Sequence, residues 1–177
     1  MIKKFLLFLL GFVFVMLGWA FISPKEFSVV REITINRPNA EVFGYIRFLK
    51  NQEKFSAWAK MDPQMKRGFT GKDGEVGAIA SWDGNKQVGI GEQEIKKITP
   101  NHRMDLELRF KKPFETTSTA FMSTEAIGPN QTRVQWGFAG KMPVPMNLML
   151  TFGNMDEMGG KDLATGLANL KSVLEER

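Results

Sequence analysis

The sequence predicts an α+β protein in which an antiparallel sheet of about six to seven strands covers the apolar face of a long C-terminal helix. Two observations support this fold class. Leucines recur with helical spacing near the C-terminus, and the middle of the chain alternates between apolar and polar residues, as strands covered on one side do. A third observation, an uncharged apolar segment near the N-terminus, adds a predicted transmembrane helix before this domain.

The apolar segment, residues 5–22, carries no charge and has Trp19 near its far end, where tryptophan suits a membrane interface. Its length is at the low limit for a bilayer span and long for the core of a signal peptide. Gly18 and Ala20 fit the small-residue pattern of a cleavage site. Because the apolar segment continues past that site, we favour an uncleaved anchor.

The basic residues around this segment indicate its orientation. Lys3 and Lys4 precede it and favour a cytoplasmic N-terminus, although two basic residues soon after the segment weaken this asymmetry. We therefore predict an anchor or signal segment over residues 1–24 and a domain over residues 25–177. The domain is expected outside the cytoplasm, in the periplasm of a Gram-negative cell, or secreted if the leader is cleaved.

The domain opens with a predicted strand over residues 27–36, a helix over residues 40–49 and a second helical piece near residues 51–60. After residue 61 the apolar residues recur with a period of two, which is typical of strands. Further strands are predicted over residues 65–71, 76–83, 88–99, 102–110, 116–127 and 132–141. A methionine-rich segment, residues 146–158, is expected to be helical, with a bend at Gly153.

The C-terminal segment has a clear helical pattern. Four leucines recur at steps of four, three and four residues, which places them on one face of a helix. These are Leu163, Leu167, Leu170 and Leu174. Gly159 and Gly160 indicate a hinge or a helix start, and Asp162 would then lie in the first turn, where a carboxylate suits the helix dipole. Residues 161–177 would span ~25 Å as a helix.

Composition excludes several kinds of site. The chain has no cysteine, which excludes disulfides, thiol nucleophiles and cysteine metal sites, and its one histidine, His102, excludes a multi-histidine metal site. The net charge is +5, but the basic residues are scattered among acidic ones, so no basic stripe for nucleic acid is present. The glycines of residues 71–91 lack the features of a phosphate-binding loop. We predict no metal, no cofactor and no nucleic-acid partner.

Several short motifs occur along the domain in a characteristic order. They are Phe55-x-x-Trp58, Asp62-Pro63, Gly71-x-x-Gly74-x-x-Gly77 with Trp82, Ile95-x-x-Ile98-x-Pro100, Thr132-x-Val134-x-Trp136 and the closing residues 166–171. Together with the order of elements they resemble the SRPBCC superfamily of START-related helix-grip domains, and within it the polyketide cyclase/dehydrase-like group. The resemblance covers about residues 27–176. It implies a helix-grip fold with a mostly apolar cavity between the sheet and the C-terminal helix.

Aromatic and methionine side chains are the candidates for lining such a cavity. The candidates are Trp82, Phe110, Phe121, Trp136 and Phe138 on strands, and Met146, Met149, Phe152 and Met155 in the segment before the last helix. A packed core would explain any one of them, but for the set the resemblance favours a cavity. Glu125 shares the strand parity of Phe121 and is the possible polar group of the pocket.

The resemblance leaves three functions open, because members of the superfamily bind lipids, polyketides, hormones or partner proteins and only some are enzymes. The first is a membrane-anchored, non-enzymatic domain that binds a hydrophobic small molecule or lipid. The second is a cyclase- or dehydrase-like enzyme that uses an inward carboxylate, from Glu92, Glu94 or Glu125, or uses His102. The third is a protein-interaction module of the cell envelope. The sequence names neither the ligand nor the oligomeric state.

Overall fold

The structure, a computed structural model, describes residues 2–153 and 155–176, apart from the side chains of residues 152 and 155–158. The helices are α1 (Ile2–Ile22), α2 (Asn39–Ile46), α3 (Gln52–Phe55), α4 (Ala57–Met61), α5 (Leu148–Phe152) and α6 (Met155–Glu175), with a 3-10 turn at Leu49–Asn51. The strands are β1 (Glu26–Ile35), β2 (Lys66–Thr70), β3 (Ile79–Asp83), β4 (Ile90–Thr99), β5 (Arg103–Lys112), β6 (Thr116–Gly128) and β7 (Gln131–Lys141). Each predicted strand is present, with its ends shifted by at most three residues.

The seven strands form one antiparallel sheet in the order β1-β7-β6-β5-β4-β3-β2. Strands that follow one another in the chain are neighbours from β2 to β7, and only β1 pairs out of sequence, with β7. Helix α6 lies on one face of this sheet, in contact with β1, β7, α3 and α4. The predicted α+β class, with an antiparallel sheet and a long C-terminal helix, is confirmed.

The leucine stripe of α6 is the centre of the larger core cluster. All four predicted leucines are buried, and they pack with residues of β1, β6, β7, α2 and α3. Gly166 lies on the same side of the helix, and a Cβ there would lie 2.6 Å from the ring of Trp136. The glycine therefore allows α6 to approach the indole of β7 closely.

The inner face of the sheet is set by the cross-strand register. Leu106 of β5 lies opposite Ala120 of β6, which in turn lies opposite Phe138 of β7. Because side chains alternate along a strand, every second residue from these three also faces α6. The inner positions of β6 are therefore Ser118, Ala120, Met122 and Thr124, all of them buried.

Helix α1 is long and apolar enough to cross a membrane by length and composition, and is compatible with a membrane anchor or a signal sequence. Its one buried residue is Ala20, near its C-terminal end. The side chain of Asn147, itself fully buried, donates from Nδ2 to the carbonyl oxygens of Ala20 at 2.6 Å, and of Ser23 and Pro24 at 3.3 Å. Since the last carbonyls of a helix lack partners within the helix, this amide stabilises the junction between α1 and the domain.

Replacing Asn147 by alanine is expected to loosen this junction, because three carbonyl groups lose their side-chain donor. Local opening exposes the linker, so trypsin should cleave after Lys25 several-fold faster than in the unchanged protein. Limited proteolysis followed by mass spectrometry measures this rate. The matched control is Asn130→Ala in the exposed β6–β7 turn, and equal cleavage of both variants would contradict the role given to Asn147.

Candidate functional site

A cavity of about 440 Å³ lies between the inner face of the sheet, the helical segment of α3 and α4, and the first half of α6. It receives side chains from β2 to β7, so almost the whole sheet contributes to its wall. The volume is in the range of sites that hold small molecules. The domain is therefore not filled by its own side chains at this point.

The wall of the cavity is largely apolar. Trp58, Leu108 and Phe110 line it and are only partly buried, although they face the interior of the domain. In a filled core such side chains would be enclosed by their neighbours. Trp82 meets Phe110 edge to face, with ring centroids 5.8 Å apart. The aromatic rings therefore form an ordered apolar surface around the space.

Trp82 also depends on a glycine of the neighbouring strand. Gly91 lies opposite it, and a Cβ at this position would lie 2.6 Å from the indole. The register between β4 and β5 shifts between Ile90 and Gly91, so β4 is irregular at this glycine. Gly91 also provides the room that the indole needs to lie against β4.

The structure brings four of the predicted lining residues together at the cavity. They are Trp82, Phe110, Trp136 and Phe138. Phe121 lies on the outer face of the sheet, where the guanidinium of Arg103 stacks 3.9 Å from its ring centroid. Met146 and Met149 do not line the cavity, and Met149 is half exposed. The side chains of Phe152 and Met155 are outside the described residues.

The carboxylates considered for catalysis lie away from the cavity. Glu125 is exposed on the outer face, in an ion pair with Arg133 at 2.9 Å, because it follows Phe121 in parity. Glu92 and Glu94 also lie on the outer face, where Arg109 binds them at 2.7 and 2.6 Å. Hydrogen bonding to this guanidinium lowers the pKa of both carboxyl groups.

The cavity does contain polar groups that sequence reasoning did not find. Arg67 of β2 faces it, with Nε 3.7 Å from the carboxylate of Glu53. Gln93 of β4 donates from Nε2 to Oε1 of the buried Gln52 at 2.8 Å. His102, in contrast, lies exposed in the β4–β5 turn. Among the described residues no group of three or more histidine and carboxylate side chains could hold a metal ion.

Asp162 is the one carboxylate among the described side chains of α6 that lines the cavity. Gly159 and Gly160 predict a first-turn position for Asp162, but α6 begins at Met155, so the helix dipole is not the main influence on this carboxyl group. Burial raises the pKa of Asp162 above its ordinary value, and the charge of Lys161 opposes this shift. A carboxyl group with a raised pKa is suited to retain or donate a proton.

The raised pKa predicts how stability depends on pH at this residue. Below the ordinary aspartate pKa, about 4, the carboxyl is protonated in the folded and the unfolded chain, and it carries no penalty. As pH rises through that value and the higher folded pKa, the unfolded chain releases the proton more readily, so the unchanged protein loses stability relative to Asp162→Asn. Urea unfolding from pH 3 to pH 7 should show the asparagine variant gaining a stability advantage as pH rises. The same substitution at the exposed Asp83 controls for the loss of one charge.

The antiparallel sheet, the long helix packed on it and the apolar cavity between them define a helix-grip domain. A family model described as "Polyketide cyclase / dehydrase and lipid transport" matches residues 26–175. The chain therefore belongs to this family, and the predicted resemblance to the SRPBCC superfamily is confirmed. The family and the fold support a hydrophobic ligand-binding domain.

Solved structures with low sequence identity share the fold. Norcoclaurine synthase from Thalictrum flavum, in complex with dopamine and hydroxybenzaldehyde, is 10% identical with a TM-score of 0.64, over 88% of this chain and 91% of that chain. Protein MLL2253 from Mesorhizobium loti is 18% identical with a TM-score of 0.58, over 85% of this chain and 98% of that one. The Aha1 dimer from Colwellia psychrerythraea is 17% identical with a TM-score of 0.54, over 84% of this chain and 96% of that chain. A comparison with curated proteins found no match.

Proposed function

We propose that this protein binds a hydrophobic small molecule or lipid in the cavity, without catalysing a reaction, and that α1 anchors it to a membrane. The observation that supports binding is the cavity itself, about 440 Å³ of space enclosed mainly by aromatic and aliphatic side chains. A ligand that buries about 200 Å² of apolar surface there gains about 5 kcal/mol before the costs of association. Lipid transport is part of the description of the family.

The proposed anchor comprises residues 1–24, and residues 25–177 form the binding domain outside the cytoplasm. Support for an uncleaved anchor comes from the buried Ala20, whose carbonyl accepts the short hydrogen bond from Asn147. Cleavage after Ala20 would remove this residue from the domain, and Asn147 would lose the acceptor of its short hydrogen bond. Intact-mass analysis of the protein from a membrane fraction tests this part, because a cleaved leader gives a mass that lacks residues 1–20.

Binding is tested on residues 25–177, because lipid that adheres to α1 is then absent. The similar structures consist almost entirely of the matching domain, which supports folding of this part on its own. Native mass spectrometry should show a stoichiometric apolar molecule, and solvent extraction should identify it. A folded protein that carries no molecule, and takes up no fluorescent lipid or apolar probe, would contradict the proposal. The cavity itself argues against the third alternative, an interaction module with a filled core.

Catalysis is the second candidate, and Asp162 is the observation that favours it, because it is a carboxyl group with a raised pKa in the cavity wall. Under this alternative Asp162 would act as a general acid. The test compares the molecules extracted from the unchanged domain and from Asp162→Asn. A non-catalytic protein retains the same compound in both, whereas an enzyme accumulates a different compound, its unconverted substrate, in the variant.

A further inference from the structure

The register of the sheet places the junction with α1 and one end of the cavity together. Glu26, the first residue of β1, lies opposite Lys141, the last residue of β7. Farther along the same end of the sheet, Lys112 of β5 pairs with Ile90 of β4. We call this the anchor end of the sheet. It carries the linker of residues 23–25, the β3–β4 loop, the β5–β6 loop and the segment that follows β7.

The cavity reaches the surface at this same end. Lining residues that are also exposed mark the places where a cavity opens. Gln87, Lys112 and Pro113 are three of these, and Glu53 of α3 and Phe69 of β2 are two more. Gln87 lies in the β3–β4 loop, Lys112 ends β5, and Pro113 begins the β5–β6 loop. One opening of the cavity therefore lies among the loops of the anchor end, where three of these five residues are found.

Two large apolar side chains of this end are exposed. Phe114, next to Pro113 in the β5–β6 loop, is 60% exposed. Met149 of α5 is 50% exposed, two residues after the Asn147 that holds the end of α1. Large apolar side chains at such exposure are unfavourable in water but suit the interface of a bilayer.

The lysines at the anchor end suit an anionic lipid surface, and the exposed carboxylates Asp83 and Glu115 lie at this end too. Lys25, Lys86 and Lys112 are all exposed there. None of the three forms an ion pair with a residue that the structure describes. Lysines that lie close to a membrane are attracted to anionic headgroups.

From these observations we infer that the anchor end of the sheet docks on the lipid bilayer that holds α1, with Phe114 and Met149 in the interface and the cavity opening onto the membrane. The inference rests on the proposed membrane anchor. It goes beyond that anchor because an anchor by itself does not bring Phe114, Met149 and the cavity opening to the bilayer surface. In the docked arrangement an apolar ligand passes between bilayer and cavity without crossing water.

The absence of cysteine allows single-site labelling without further changes. We would introduce Phe114→Cys or Val76→Cys, label each with the fluorophore NBD, and reconstitute the full chain in vesicles of phosphatidylcholine and phosphatidylglycerol. Val76 is the matched control, because it is 62% exposed but lies in the β2–β3 loop at the opposite end of the sheet. Met149→Cys and Ile127→Cys, at 50% and 41% exposure, form a second pair.

Lipids that carry a nitroxide quencher should quench the label at positions 114 and 149 at least threefold more strongly than at 76 and 127, and aqueous iodide should show the opposite order. Equal quenching within each pair, in protein that floats with the vesicles, would overturn the docking inference and leave the anchor intact. Protein that does not float would overturn the anchor and the docking together. If a label disturbs the structure at one site, the result from the other pair of sites will disagree with it and so reveal the disturbance.

Discussion

Replacing Leu170 by alanine is expected to lower the free energy of unfolding by about 2–5 kcal/mol. Leu170 is fully buried in α6 and belongs to the larger core cluster, together with residues of β1 and β7. The substitution removes apolar contacts and leaves a space that closely packed neighbours refill only in part. Such a loss is a large fraction of the stability of an ordinary domain. Urea unfolding of residues 25–177 measures it.

The matched control is Thr165→Ala, on the exposed side of the same helix. The hydroxyl of Thr165 donates to the carbonyl of Lys161 within the helix, and no packing is lost when it is removed. We expect this change to alter the free energy of unfolding by less than about 0.5 kcal/mol. Equal effects of the two substitutions would mean that the leucine stripe does not form the core that the structure shows.

The leucine stripe could be predicted from the sequence because the spacing of its residues is a property of the helix itself and needs no knowledge of the neighbouring elements. The residue at which the helix begins could not be predicted in this way. Gly159 and Gly160 suggested a hinge, but both lie buried inside α6. A Cβ at Gly159 would lie 2.6 Å from the ring of Phe138, and one at Gly160 would meet the guanidinium of Arg31. These glycines permit close packing on the sheet, a contact between distant segments that local sequence does not encode.

The strands also differ in how well their polarity pattern predicts which face of the strand lies on the inside. In β5 the apolar residues Leu108 and Phe110 alternate with the charged Glu107 and Arg109, so the polarity of the two faces is enough to identify the inner one. In β6 the inner face carries Ser118 and Ala120, whereas the outer face carries Phe121. Apolar character therefore indicated the wrong face for cavity lining there. Only the pairing with β5 and β7 decides which side of β6 faces α6.

The prediction of the polar groups of the cavity also requires knowledge of how the strands pair. Arg67 is in a short edge strand, and Gln93 is in a strand with register shifts on both sides of it. The spacing of residues in the sequence therefore could not show whether Arg67 and Gln93 lie on the inner or the outer face of the sheet. Asp162 was visible as a residue of the last helix, but its position beside the cavity follows from where the helix lies on the sheet.

Replacing Ala80 by phenylalanine is expected to weaken ligand binding at least tenfold while the domain remains folded. Ala80 of β3 faces the cavity, and its small side chain leaves the space in front of it open. A phenyl ring there would occupy volume that the ligand needs, and would bury its own apolar surface against the existing wall. We expect the affinity for a neutral apolar fluorophore, N-phenyl-1-naphthylamine, to fall at least tenfold. Fluorescence titration of residues 25–177 measures this affinity.

The neighbouring residue provides the control. Ile79→Phe adds an aromatic ring to the same strand, but Ile79 alternates with Ala80 and does not line the cavity. We expect this variant to bind the fluorophore as the unchanged domain does, and circular dichroism should show both variants folded. Loss of binding in both would indicate damage to the strand. Retained binding in Ala80→Phe would mean that the fluorophore binds elsewhere on the domain, and the cavity would lose its place as the binding site.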